Sequence, residues 1–183
     1  MSSDRQEEIE LKRDCKAILI PSGDPVVLHQ GDQVMLFQDL GGSYTVQTHR
    51  GGLARVAAED VDALGLESVP TVRGTTGSGP FELEAVIEQL KTVFDPEIPI
   101  NVVDLGLVYQ CEAEALPSGG HRVEIKMSMT APGCGMGDVL REDARSRVLT
   151  VPGVSDVNVE LVWDPPWDMS RLSEAARLEL GLF

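Results

Sequence analysis

The sequence predicts an α/β (α+β) protein: a small, mainly β N-terminal domain, then a compact C-terminal domain with helices over a small mixed sheet. Three observations carry that prediction. Up to about residue 68, short apolar or alternating runs recur roughly every ten residues between Gly- and Pro-rich turn signals, the pattern of a small curled sheet or barrel. From residue 81 onward, helical and strand periodicities alternate in the order α-β-β-α-β-α. Between them lies VPTVRGTTGSGP (69–80), whose Gly, Ser, Thr and Pro content favours unpaired backbone. The chain is therefore expected to divide into residues 1–70, a linker at 71–80, and a domain at 81–183.

In the first segment, Ala17–Ile20, Val26–Leu28, Gln33–Phe37, Tyr44–Thr48 and Leu53–Val56 read as strands. They are separated by the turn signals PSGDP (21–25), GD (31–32), GG (41–42) and GG (51–52). Glu59–Leu64 reads as a short helix ending at Gly65. In the second segment, Phe81–Phe94 places Leu83, Val86, Ile87, Leu90, Val93 and Phe94 on one helical face, with Pro80 suited to its first turn. Asp95-Pro96 stops that helix, because the residue before proline avoids the α region. Val102–Cys111 is expected to be a strand. In Arg122–Thr130, Val123, Ile125, Met127 and Met129 alternate with polar residues, as on a half-buried strand. Gly137–Leu149 reads as a helix with Asp138 near its start, and Val154–Trp163 alternates again. Arg171–Leu180 reads as a last helix between a Ser170 cap and Gly181.

The 183 residues include 30 acidic and 15 basic side chains, a net charge of −15. Such a surface repels phosphates, which argues against nucleic acid and anionic membranes as partners. The hydrophobic share of 42% and charged share of 25% are those of a globular chain. Charge is uneven: residues 1–80 carry a net −5 and residues 81–183 a net −10. The N-terminal MSSDRQEEIELKRDC has no apolar stretch of the signal-peptide kind, and no run is long enough to suggest a membrane span. A cytoplasmic setting with reduced thiols is the expectation. The three cysteines, Cys15, Cys111 and Cys134, show no CxxC spacing, so neither a zinc site nor a disulfide framework is indicated.

The densest chemical signal is MTAPGCGMGD (129–138), where a strand gives way to a Gly-rich turn and then a helix. Cys134 stands a few residues before a helix N-terminus, whose unpaired N–H groups favour thiolate over thiol. Gly133 and Gly135 leave room around its sulfur, and Thr130 brings a hydroxyl to the same loop. A small buried hydrophobe in a tight turn is the competing reading. Cys111, on an apolar strand, reads as core, and Cys15, in a charged segment, as incidental. A second signal is FDPEIPINVVDLGLVY (94–109), in which two prolines stiffen the connection carrying Asp95, Glu97 and Asp104. These carboxylates read either as turn caps or as neighbours of a metal-bound thiolate; beside a purely nucleophilic thiol they would raise its pKa. A third is WDPPWDMSRLSEAARLELGLF (163–183), where Trp167 reads as a core anchor or as a partner contact.

In this order, DPEIPINVVDLGLVY, MTAPGCG and DPPWDMSRLSEAARLELG resemble the strongest motifs of the metal–sulfur cluster biosynthetic protein family. The first is also similar to PaaD-type accessory proteins. The upstream IELKRDCKAILIPSGDPVVLHQG, with Ala63–Glu67 (ALGLE) after it, resembles the N-terminal extension of SufT-type maturation factors within that family. The resemblance implies assistance in assembling iron–sulfur clusters or delivering them to client apoproteins, without a turnover reaction. It puts the functional cysteine at Cys134, the acidic motif at Asp95, Glu97 and Asp104, and Thr130 in the same pocket. A conventional cluster takes about four thiolates, and this domain offers one well-placed sulfur. The implied cofactor is therefore a transient or bridging iron–sulfur cluster, with the assembly machinery, clients and a second copy in a homodimer as partners. Two alternatives stay open. One is a thiol enzyme pairing Cys134 with His29, His49 or His121; the other is a metal-free adaptor docking clients of the cluster pathway.

Overall fold

The computed structural model describes residues 8–40, 43–67, 79–133 and 135–182. The chain forms two compact units, Met1–Thr71 and Val72–Phe183. Most of the segment expected to link them lies at 68–78, outside the described residues.

The first unit is an antiparallel sheet of β1 (Glu8–Glu10), β2 (Cys15–Ile20), β3 (Pro25–Leu28), β4 (Gln33–Leu40), β5 (Ser43–Thr48) and β6 (Leu53–Val56), in the order β1-β4-β5-β6-β2-β3. β1 is the one strand here that sequence periodicity missed, since three residues are too few to alternate. Inward positions carry Cys15, Ala17, Leu28, Val34, Val46, Ala54 and Val56, and a 3₁₀ segment, Ala58–Leu64, closes the core with Val61, Ala63 and Leu64. The Leu11 amide donates to the Asp32 carbonyl (2.9 Å), and the Leu11 carbonyl accepts from Gly31 (2.9 Å), folding the β1–β2 connection onto the β3–β4 turn.

The second unit runs α1 (Leu83–Leu90), β7 (Val108–Ala115), β8 (His121–Met127), α2 (Gly137–Val148), β9 (Val154–Leu161) and α3 (Glu174–Glu179). This is the expected α-β-β-α-β-α order. The sheet is β7-β8-β9, antiparallel between β7 and β8 and parallel between β8 and β9, and so mixed as expected. Parallel pairing needs a crossover, which α2 supplies. Val123, Ile125 and Met127 face inward from β8 against Leu140, Ala144 and Val148 of α2 and Val86 and Leu90 of α1. Each such large aliphatic side chain contributes roughly 2 kcal/mol by leaving water.

Several boundaries differ from the sequence expectation, and three of them have a clear local reason. α1 ends at Leu90 rather than Phe94, because Thr92 turns its hydroxyl onto the Gln89 carbonyl (2.6 Å) and the Val93 carbonyl is taken by the Val102 amide (2.9 Å). The strand expected from Val102 starts at Val108, since Asn101 organises residues 101–107 into consecutive turns instead. The last helix is capped by Ser173, whose hydroxyl accepts from the Ala176 amide (3.1 Å). Ser170 instead belongs to a 3₁₀ turn, Met169–Arg171, capped by Asp168.

Gly106 holds φ +69° against the backbone of Arg171, and a Cβ there would overlap the Arg171 carbonyl. Gly106→Ala should therefore cost about 3 kcal/mol, the left-handed penalty plus the clash. Gly119→Ala also has positive φ (+95°) but faces open space, and should cost about 1 kcal/mol. Urea midpoints of the two variants measure the difference.

Candidate functional site

The site is assembled where the exit of α1 meets the exit of β8. Phe94 and Asn101 form an isolated antiparallel bridge, and the Asp95 amide donates to the Ile100 carbonyl (3.1 Å), so residues 95–100 close into a tight loop. Within it Asp95 is 3% exposed. Its Oδ1 accepts from the amides of Glu97 (2.8 Å) and Ile98 (2.9 Å), and the Thr130 hydroxyl lies close enough to lower the pKa of the same carboxylate. Beyond β8, the Ser128 amide donates to the Leu107 carbonyl (2.8 Å), which fastens the strand exit to the turns that follow the Asp95 loop.

Burial pushes the Asp95 carboxyl above its ordinary value, the Ile98 and Glu97 amides and the nearby Thr130 hydroxyl pull the other way, and the Glu97 charge adds to the rise. The folded protein thus holds this proton at a pH where the unfolded chain has lost it, and stability falls as pH rises through that window.

The candidate residues separate into groups. Asp95 and Thr130 lie near each other, and the Thr130 hydroxyl helps hold the Asp95 pKa down. Glu97 donates its backbone amide to Asp95 and leaves its side chain exposed. A Cβ added to Gly133, at φ +78°, would meet nothing within 4 Å, and Gly135 is exposed, so the turn is open on both sides of position 134. Cys134 itself lies outside the described residues. After the turn, Met136 is buried and gives α2 no side-chain cap, and Gly137 packs close to Leu161.

Asp104 is engaged elsewhere. Its Oδ2 accepts from the Asn101 side-chain amide (2.6 Å), its own amide donates to Asn101 Oδ1 (2.9 Å), and its carbonyl accepts from Ser173 (2.8 Å) at the start of α3. Trp167 packs against the core of the second unit and donates its indole N–H to the Leu105 carbonyl (2.6 Å). The adjoining segment, with a cis Asp164–Pro165 bond, is held by the Tyr109 hydroxyl on the Pro165 carbonyl (2.8 Å). Arg171 stacks its guanidinium 4.1 Å above the Tyr109 ring. Sequence reasoning overlooked Asn101, Tyr109 and Arg171. An asparagine three residues before Asp104 was a readable turn signal, whereas the Tyr109–Arg171 contact spans distant chain segments and left none.

The other thiols and the histidines lie on other elements. Cys15 is buried in the first unit, where burial raises its pKa. Cys111 is half-buried on β7, and burial pushes its thiol up to about 11. His29 and His49 belong to the first unit. His121 begins β8 and stacks on Phe81 with ring centroids 4.1 Å apart, a strand length of about 20 Å from the end that leads to Thr130. Among the described residues, no group of three or more His, Cys, Asp or Glu side chains is gathered to hold a metal ion. Nor, among them, is any helix long and apolar enough to cross a membrane.

The second unit is a small mixed α/β domain in which Asp95 and Thr130 lie near each other beside a glycine turn. A family model described as iron–sulfur cluster assembly protein matches residues 83–161. An Fe–S protein maturation auxiliary factor of Porphyromonas gingivalis is 43% identical over 98 residues, 54% of this chain and 90% of that protein. The Fe–S protein maturation auxiliary factor SufT of Staphylococcus aureus is 34% identical over 49% of this chain and 98% of its own length. A solved domain of unknown function from Bacillus anthracis is 33% identical over 55% of this chain and 92% of that chain, with a TM-score of 0.48. The chain belongs to the iron–sulfur cluster assembly protein family, whose curated relatives are named as maturation factors.

Replacing Asp95 by Ala removes the acceptor of two amides and should cost about 1–3 kcal/mol. Asp95→Asn keeps a carbonyl oxygen for the amides and has no proton to lose. It should abolish the fall in stability above the ordinary carboxylate range, read from urea midpoints collected across mildly acidic to neutral pH.

Proposed function

We propose that this protein helps assemble iron–sulfur clusters or pass them to client apoproteins, with the Cys134 thiolate as a cluster ligand and the cluster as cargo. In this reading residues 81–183 are the maturation domain and residues 1–70 an accessory extension, working in the cytoplasm. The closeness of Asp95 to Thr130 beside the open turn is the observation that carries it, because two of the motif residues come near each other before that turn. Asp95, with Glu97 nearby, sets the electrostatics around a thiolate ligand, and Gly133 and Gly135 leave a partner's sulfur room to approach.

Ligand counting supports transfer over storage. The chain has three cysteines, whereas a conventional cluster takes about four thiolates. Cys15 is enclosed in a separate unit and Cys111 holds its proton to about 11. The remaining ligands come from outside: a second copy in a homodimer, a client, or a small thiol. The relatives are named as maturation factors, which favours this reading over a thiol enzyme. The position of His121, remote from Thr130, weighs the same way.

Anaerobic reconstitution followed by visible absorption, then transfer to an apo-ferredoxin, tests the proposal. Wild-type protein should acquire iron and sulfide and pass them on. Cys134→Ala should lose both steps, and Thr130→Val should retain its fold while slowing transfer severalfold. A Cys134→Ala protein that binds and transfers cluster normally removes the assignment.

A further inference from the structure

We propose that Asn101 is a positioning residue of the candidate site: by capping the turn at 101–105 and locking it to Asp104, it aligns the loop that carries Asp95 with the strand exit that carries Thr130. The inference rests on reading those two residues, with the glycine turn, as the cluster-handling end of the second unit.

Asn101 stands where two segments of the site join. On its N-terminal side, its bridge with Phe94 and the hydrogen bond from the Asp95 amide to the Ile100 carbonyl close the Asp95 loop. On its C-terminal side the chain makes a single turn, in which the Leu105 amide donates to the Asn101 carbonyl (3.0 Å). The Asn101 side chain caps that turn as a helix N-cap does, its Oδ1 accepting from the amides of Val103 (3.0 Å) and Asp104 (2.9 Å). Asp104 answers from the third position of the turn, where its Oδ2 accepts from Asn101 Nδ2 (2.6 Å). In a capping box the third residue reaches back to a backbone amide. Here it takes the side-chain N–H of the cap instead, so the two side chains are fastened to each other. Capping alone needs only an acceptor, which Ser or Asp supplies as well; the N–H that Asp104 takes is what asks for asparagine.

The turn passes this alignment to β8. The Leu107 amide donates to the Val102 carbonyl (3.0 Å), and the Leu107 carbonyl accepts from Ser128 (2.8 Å), two residues before Thr130. Val102 in turn donates to the Val93 carbonyl (2.9 Å) at the exit of α1. Val102, Leu105 and Leu107 are fully buried. Apolar burial is non-directional, so it holds the turn in the core without setting its orientation. The directional bonds of Asn101 and Asp104 set that, and with it the spacing of the two approaches to the site.

Exchanging the two side chains separates this role from simple capping. Asn101→Asp keeps an acceptor for both amides, loses the N–H, and sets two carboxylates against each other. Adding Asp104→Asn returns one donor and one acceptor to the pair, reversed in polarity and with the wild-type net charge. In the metal-free full chain, the readouts are the Thr130 amide shift and the carboxyl-carbon NMR titration of Asp95. In the loaded protein, the readout is the rate of cluster transfer to an apo-ferredoxin. Asn101→Asp should displace the Thr130 resonance and move the Asp95 titration back toward the ordinary carboxylate range, as water reaches the loosened loop. It should slow transfer about tenfold. The exchanged pair should return all three to near wild-type values. Where Asn101→Asp does not hold its fold, Asn101→Ser, which keeps the cap without the N–H, takes its place with the same expected shifts. A folded single variant with unchanged Thr130 and Asp95 signals overturns the proposal, as does an exchanged pair that stays displaced, slow or unfolded. A wild-type protein that acquires no cluster removes the proposed function instead, and the metal-free spectra still decide the role of Asn101.

Discussion

Asp95 is the constraint on which the second unit's working end depends. A carboxylate at 3% exposure would be costly by several kcal/mol if left without partners. Two backbone amides, those of Glu97 and Ile98, offset that cost, and both lie on the loop being positioned. The loop at 95–100 is therefore shaped by the group it encloses, with Thr130 close to the same group. Burial also biases Asp95 toward its protonated form.

The acidic residues of the second unit consequently divide into distinct duties. Asp95 lies near Thr130. Asp104, further along the same motif, braces Asn101 and holds the start of α3 through its carbonyl. Around it, Gly106 fits under Arg171, and Leu105 takes the Trp167 indole. These contacts form one mount for the C-terminal segment, with Arg171 on Tyr109 closing its outer side. A motif that reads as a row of carboxylates is thus half a site and half a scaffold.

What the sequence made legible follows from how far each signal reaches. Strands β2 to β6, the mixed β7-β8-β9 sheet and α2 were readable because their alternation or helical spacing is local and sustained. The end of α1 was not, since it is decided by the Val93–Val102 hydrogen bond, a partner outside the helix. The start of β7 was misplaced because Val102, Val103, Leu105 and Leu107 look like a strand while Asn101 and Asp104 turn them. Of the site, residue types and their order were visible. The closeness of Asp95 to Thr130, and the separation of Asp104 from them, required the fold, because both relate segments the sequence presents only in series.

The distribution of thiols gives the proposed role its direction. A protein that stores a cluster surrounds it with ligands on rigid elements and removes it from exchange. Here Cys15 is enclosed by the first unit's own core, and Cys111 is held protonated by its strand environment to about 11. Both are poor competitors for iron, so neither draws a cluster away from position 134 into a trapped arrangement. In the proposed role, an open glycine turn would leave most coordination positions to a partner's sulfurs. Under-ligation would then be the transfer mechanism: the complex would be stable only while the partner contributes thiolates, and a client with a fuller ligand set would take the cluster by mass action.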